Sequence, residues 1–542
     1  MPVLVCLCVL LLGSVVLLKF AFAGPFSFIQ PVHAALNPEG IVAIGFIALC
    51  AVRAKGSQWI EAEAGKASYD LTCIGLIVIG TVLAFSTSLN DPFLADDYGL
   101  IGQASTDSLH QVVSRTLLTH PTSGDFFFRP VTYLLSWLDF RWAGYNPLLW
   151  HVWNLLVHAT NSVLVFVWLR QLRFRAAVSC LAALLFAIHG ARPEVVCWVG
   201  SRYDLLAFLF SALTLISTLR YVESPAIGWL ITAFISTTLA VLSKESAFCI
   251  PLVLAAVLFF GQAGWNKNGR RVLICVSTAC LAVLFYRTWF LGGIGGYRDG
   301  EGTAAVAQFH PLLTLKGLFF RGPAILLFPI NWSLSVSPAV IFALAAMLVC
   351  LFAAALTARL PRRPLFCSLA VILVAFLPVQ HLLLIGPELT GSRVLYLPTL
   401  GFALLWATIL SSITPATLRT AFACLLLISE LVFLRHNISI WQEVAHLSQQ
   451  VCRDVGAMTK GGHPVFVTDL PATFKGVYFL ANGFPGCVSL ASNSGPPGVV
   501  QVKQFDGSVP CNSLKLVWNN DRAKFEQYRG TDGNCPTGSA PK

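Results

Sequence analysis

Apolar runs of membrane-crossing length recur along this chain, separated by short polar connectors. They fall near 3–22, 38–53, 71–88, 150–169, 176–190, 205–220, 226–242, 247–262, 272–290, 336–357, 364–385, 394–411 and 416–434. A helix of roughly 17–25 residues crosses the hydrocarbon of a bilayer, whereas a membrane barrel alternates in short segments. The pattern therefore predicts an all-α polytopic membrane protein with about 11–13 transmembrane helices. The first run ends in Ala-Phe-Ala, like a signal peptide, but no positive residue precedes it. An uncleaved first helix is the expectation.

Basic residues order these spans. Arg170, Arg173 and Arg175, then Lys267, Arg270 and Arg271, then Arg359, Arg362 and Arg363, should share the cytoplasmic side. This holds if "LLTLKGLFFRGPAILLFPINW", 312–332, lies in the outer interface or re-enters, which Lys316, Arg321 and Pro323 favour. The loops 89–149, 191–204 and 291–335, the turns 243–246 and 386–393, and everything from 435 onward then face outward. The first of these loops is too long for a plain connector. Within it "DSLHQVVSRTLL" and "PVTYLLSWLDF" carry helical apolar spacing, which predicts helices lying on the membrane.

After the last span the pattern changes to short alternating runs punctuated by Gly, Pro, Asn and Asp, as in "PVFVTDL", "VVQVKQF" and "LKLVW". Three parts follow: 1–70, a transmembrane hairpin and cytoplasmic loop; 71–435, a transmembrane core; and 436–542, a small extracytoplasmic α+β or mainly β domain. Four of the 16 cysteines, Cys452, Cys487, Cys511 and Cys535, lie in that tail. Outside the cytoplasm they are disulfide candidates, with three pairings open. No spacing suggests zinc, and no 34-residue period is present.

Composition agrees with the pattern: 56% of the 542 residues are hydrophobic and 11% are charged. The net charge of +11 sits in small knots at segment ends rather than along one face, so it points to membrane topology and away from nucleic acid.

In so apolar a chain the outward polar residues stand out. "FLADDYGLIG", 93–102, places Asp96 and Asp97 just after a span. The same side carries Arg129, His151 and Asn154, His189, Arg192 and Glu194, Arg202 and Asp204, Lys244 and Glu245, Arg287, and Glu388 with Arg393. Ionisable groups at membrane depth are costly, so their gathering at one rim points to a shared polar cavity. His158 reads instead as a helix-packing histidine and Arg220 as a cytoplasmic anchor. An aspartate near a hydroxyl can act as a general base, and Arg and Lys can hold a phosphate. Together they suit group transfer from a lipid phosphate. The acidic pair could equally hold a divalent cation such as Mg²⁺ or Mn²⁺, or relay protons in a transporter or flippase of a lipid-linked glycan. The sequon at Asn437 carries no weight.

Five ordered blocks, "FLADDYGLI", "FFRPVTYLLSWLDF…NLLVHAT", "AIHGARPEVVCWVGSRYD", "LSKESAFCIP" and "GPELTGSRVLYLPTLGF", spread over about residues 71–445. In order and spacing they resemble the GT-C membrane glycosyltransferases, and more narrowly bacterial relatives of the TMTC protein O-mannosyltransferases. The resemblance implies an enzyme with a GT-C-like core. It would transfer a sugar, mannose or another hexose, with inversion, from a polyprenyl-phosphate donor to an extracytoplasmic protein or glycan acceptor such as a Ser/Thr hydroxyl. It also implies a multi-pass protein of the bacterial inner membrane, its site and tail on the periplasmic side. Asp96 and Asp97 become the catalytic pair. Arg202, Lys244, Arg287 and Arg393, chosen by charge and side, are candidates for the donor phosphate, and Arg129, His151, His189, Glu194, Asp204, Glu245 and Glu388 for the pocket. No cofactor is implied beyond the open divalent cation. The sequence departs from the family in its short tail without tetratricopeptide repeats, in residues 1–53, and at Gly190, where Pro is usual.

Overall fold

The computed structural model describes residues 67–120, 127–261, 265–296, 311–357, 360–382, 385–459, 464–480, 482–492, 499–502, 504–505, 509–510 and 513–528. The spans expected at 3–22 and 38–53, Arg359, Cys511 and Cys535 lie outside these residues.

The core is helical. In order it contains α1 (Ala67–Phe85), α2 (Asp97–Thr106), α3 (Leu109–Val113), α4 (Pro130–Ala143), α5 (Pro147–Gln171), α6 (Ala176–Ala187), α7 (Pro193–Val196), α8 (Arg202–Glu223), α9 (Ile227–Ser243) and α10 (Ile250–Phe260). Then follow α11 (Lys267–Leu291), α12 (Pro311–Leu315), α13 (Gly322–Leu327), α14 (Pro338–Thr357), α15 (Arg362–Phe376), α16 (Thr399–Ser412) and α17 (Ala416–Thr459). All the spans expected between 71 and 434 coincide with helices. Six of these helices are long and apolar enough to cross a membrane, and the rest are shorter apolar helices. The chain is an integral, multi-pass helical membrane protein.

Local chemistry sets several boundaries. Asn146 caps α5 by accepting the Leu148 N–H at 3.1 Å, with Pro147 in the first turn. Asn266 caps α11 in the same way through Gly269, at 2.8 Å. Within 312–332, α12, a π-helical turn (Lys316–Arg321) and α13 follow without a break, so that 311–327 is one helical run.

Two features differ from the sequence pattern. The helix expected to end near 434 runs unbroken to Thr459, so the boundary placed at 435/436 falls inside α17. Its continuation is amphipathic, burying Ile440, Trp441, Val444, Val451 and Val455. The segment 191–204, expected on the outward side, is packed closely against the helices, with every residue from Leu185 to Arg202 buried. Its polar atoms must then be satisfied by protein partners.

The tail is a small α+β domain. It contains β1 (Val465–Thr468), β2 (Thr473–Phe474), β3 (Val477–Tyr478), α18 (Phe484–Ser492), β4 (Val499–Gln501), β5 (Leu514–Asn519) and β6 (Lys524–Gln527). The main sheet runs β4-β1-β5-β6, with β1 parallel to both neighbours and β5 antiparallel to β6. Cys452 of α17 is bonded to Cys487 of α18, one of the pairings left open by the sequence.

Candidate active site

The acidic pair sits on a tight turn. Ala95 has a left-handed backbone, φ 44°, and its N–H donates to the Phe479 carbonyl of the tail at 3.1 Å. The turn points the two aspartates to different places. Asp97, in the first turn of α2, is 1% exposed. Its Oδ2 accepts the Leu94 N–H at 3.0 Å and its Oδ1 accepts the Gly200 N–H at 2.6 Å. Burial pushes its carboxyl up to about 7, against those two donors. Asp96 is half-buried, and its Oδ1 accepts from Asn482 Nδ2 at 2.9 Å.

Basic residues from four separate segments gather around Tyr203. The Arg129 guanidinium lies 4.5 Å from the centroid of the Tyr203 ring and pairs through both Nε and a terminal nitrogen with Glu245. Lys244 Nζ donates to Asp204 Oδ1 at 2.6 Å and lies 5.5 Å from the same ring. Arg393 pairs with Glu194 at 3.2 Å, and Glu194 also accepts from the Ser392 hydroxyl at 3.0 Å. Burial raises the Glu194 carboxyl, with Arg393 opposing. Asp96, Arg129, Arg393 and Asp204 all lie within electrostatic range of the Tyr203 phenol. Arg287, buried at the end of α11, donates to the Ile294 carbonyl, and its Nε has no hydrogen-bond partner among the described residues. It lies within electrostatic range of Glu245 and Arg129.

Lys244, Arg287, Arg393 and Arg129, with Glu194, Asp204 and Glu245, thus form one cluster around Tyr203, whose phenol also lies within electrostatic range of Asp96. The other expected residues go elsewhere. Arg202 spends its guanidinium on the protein: Nε on Asn154 Oδ1 at 2.9 Å, NH2 on the Trp150 carbonyl at 3.2 Å, and NH1 on Asp139. His189 bonds the Leu326 carbonyl at 2.9 Å and receives the Ala191 N–H at 3.2 Å, so both ring nitrogens serve the fold. His151 donates from Nε2 to the Asp91 carbonyl at 3.1 Å, leaving a buried Nδ1 without a partner. Glu388 lines a separate cavity of about 20 Å³ with Glu194, Asn437 and Trp441, room for about one water.

As to a divalent cation, each oxygen of Asp97 accepts one backbone N–H and keeps one further lone pair, while one oxygen of Asp96 accepts from Asn482. Among the described residues no group of three or more His, Cys, Asp or Glu could hold a metal ion.

Sequence reasoning missed Tyr203, although it lies between two chosen residues in "GSRYD", and Asp139, hidden in the amphipathic "SWLDF". It also missed Asn482, for which the tail gives no local signal.

No family model matches the chain. The chain is similar to curated proteins named protein O-mannosyl-transferase. TMTC4 of Homo sapiens is 27% identical over 405 residues, covering 61% of this chain and 54% of that protein. F38B6.6 of Caenorhabditis elegans is 24% identical over 369 residues, covering 62% and 51%. The chain spans about half the length of the curated relatives it matches. Among solved structures, the oligosaccharyltransferase AglB of Archaeoglobus fulgidus aligns with a TM-score of 0.44 at 14% identity, over 80% of this chain and 64% of that one.

Proposed function

We propose that this chain is a GT-C-type glycosyltransferase, moving a sugar from a polyprenyl-phosphate donor to an extracytoplasmic hydroxyl. One observation carries the reading: a half-buried carboxylate, Asp96, and a buried cluster of four cations, Arg129, Lys244, Arg287 and Arg393, are linked through the Tyr203 phenol, which lies within electrostatic range of Asp96, Arg129 and Arg393. The names of the curated relatives support it, and they favour mannose as the sugar and a protein Ser/Thr hydroxyl as the acceptor.

In this mechanism Asp96 accepts the proton of the acceptor hydroxyl as its oxygen attacks the anomeric carbon. The new carbon–oxygen bond forms as the bond to the lipid phosphate oxygen breaks, and the single displacement inverts that carbon. Polyprenyl phosphate leaves with the bonding pair, its charge met by the cation cluster. Arg287 is the natural first contact, since no carboxylate bonds it in the described residues. Asp97 acts by holding the turn that presents Asp96. The basic knots on the opposite helix ends support an outer-face site, which in a bacterial inner membrane is the periplasmic side.

The test is to incubate membranes containing the chain with labelled undecaprenyl-phosphate or dolichyl-phosphate mannose and follow label into macromolecules. Transfer that disappears in Asp96→Asn at equal expression supports the reading. Equal transfer by the variant removes Asp96 from the chemistry. Proton flux driven by a lipid-linked glycan without a sugar product would favour a transporter instead.

A further inference from the structure

The tail touches the acidic turn at three points along one short segment. Phe479 accepts the Ala95 N–H that holds the left-handed turn. Gly483 packs so closely that a Cβ there would lie 1.9 Å from the Ala95 carbonyl oxygen, a position that admits no other residue without moving the turn. Between them, Asn482 Nδ2 donates to Asp96 Oδ1 at 2.9 Å. Just upstream, Tyr478 stacks on Trp198 with centroids 4.9 Å apart, and the Arg393 guanidinium lies 4.7 Å from the Trp198 centroid and 5.1 Å from that of Tyr478. The segment is anchored from behind. α18 buries Phe484, Cys487 and Val488, and Cys487 is bonded to Cys452 on α17.

We infer that Asn482 is a positioning residue for Asp96, so that the tail completes the catalytic centre instead of serving only as an appended domain. This rests on the transfer reading above. An exposed aspartate samples several rotamers, and a base must sit within hydrogen-bond reach of the proton it takes. The Asn482 amide ties down one Asp96 oxygen and leaves the other for the acceptor hydroxyl. An amide suits this place because it donates without adding charge, whereas Lys or Arg would compete with the cluster that meets the phosphate.

A role in docking alone makes a different demand, for shape, and Asp has the shape of Asn. The two roles separate in the full chain, assayed in membranes with labelled undecaprenyl-phosphate mannose over a range of donor concentrations. The inference expects Asn482→Ala to lower kcat about ten- to hundredfold with the donor KM unchanged. It expects Asn482→Asp to fall further, because a carboxylate then faces Asp96 in place of a donor. Formation of the Cys452–Cys487 disulfide, followed by thiol labelling, reports that the tail still folds. If the Ala variant does not insert, the Asp variant, equal in size, keeps the comparison open. Rates within twofold of wild type in both variants, or full activity in Asn482→Asp with loss only in Asn482→Ala, would overturn the positioning role while wild-type transfer kept the functional reading intact. Absence of transfer by the wild-type chain with either lipid-phosphate mannose would overturn both.

Discussion

Asp97 and Gly200, far apart in the chain, are joined by a 2.6 Å hydrogen bond from the Gly200 N–H to Asp97 Oδ1. This bond ties the acidic turn to the buried segment that precedes α8. It divides the pair of aspartates into a buried carboxylate bonded to the backbone and a half-buried one bonded to the tail.

Replacing each aspartate by asparagine should therefore give different defects. In Asp97→Asn an NH₂ group replaces one carboxylate oxygen, and a buried N–H of Gly200 or Leu94 loses its acceptor, at a cost of about 1–3 kcal/mol. Thermal unfolding of the purified protein in detergent should show a lower Tm for Asp97→Asn and an unchanged Tm for Asp96→Asn. Equal Tm values would contradict the division.

Among the cations, Arg287 should behave unlike Lys244. Lys244 neutralises Asp204, and both are about 5% exposed, so Lys244→Ala strands a buried carboxylate and should destabilise by about 3–5 kcal/mol. Arg287→Ala leaves no such orphan, and should raise the donor KM by about ten- to a hundredfold with little change in Tm. Donor titrations and melting curves on the two variants make the comparison. A folded Arg287→Ala protein with wild-type KM would remove that residue from donor binding.

Gly190 sits where a larger residue would clash. The Gly190 N–H donates to Glu430 Oε2 at 2.9 Å, and a Cβ there would lie 2.7 Å from Phe433 and Pro329. Asn437, the sequon asparagine, is 4% exposed, and its amide donates at 2.8 Å to the Gly190 and Pro329 carbonyls. Gly190→Pro removes a donor and adds a clash, so it should abolish accumulation of folded protein in the membrane. Asn437 should be glycan-free by mass spectrometry even when the chain is made in a glycosylating host.

A pH dependence follows from Asp91, outside the spans. Burial pushes its carboxyl from 3.8 up to about 7, against the bond from Gln442 at 3.2 Å. A carboxyl whose value rises on folding contributes stability that is complete below about pH 4 and is lost as pH rises through about 7. The Tm of Asp91→Asn should therefore gain on that of wild type between pH 4 and pH 7. A difference independent of pH would contradict it.

The helices were legible because membrane spans are written in composition: a run such as "LTCIGLIVIGTVLAF" has no other place to go. Asp96, Asp97 and the cations Lys244, Arg287 and Arg393 stood out because charge is scarce in this chain, and the structure brings Lys244, Arg287 and Arg393 into one cluster. What failed to show depends on partners distant in sequence. The fate of Arg202 is set by Asp139 and Asn154, and nothing in "GSRYD" distinguishes it from Lys244 or Arg393. Likewise the part of α17 past its last membrane residue is covered by α18, through Cys452 and Cys487, and Asn482 acquires meaning only from the turn it meets.

The central claim is that Asp96, backed by the cation cluster, transfers a sugar from a lipid phosphate. The most direct measurement is the initial rate of label transfer from undecaprenyl-phosphate mannose, with and without EDTA, by wild type and by Asp96→Asn at matched expression and Tm. The expected result is transfer by wild type that persists in EDTA and falls by about 10²-fold or more in Asp96→Asn. Undiminished transfer by Asp96→Asn, or transfer abolished by EDTA and restored by Mg²⁺ or Mn²⁺, would contradict it.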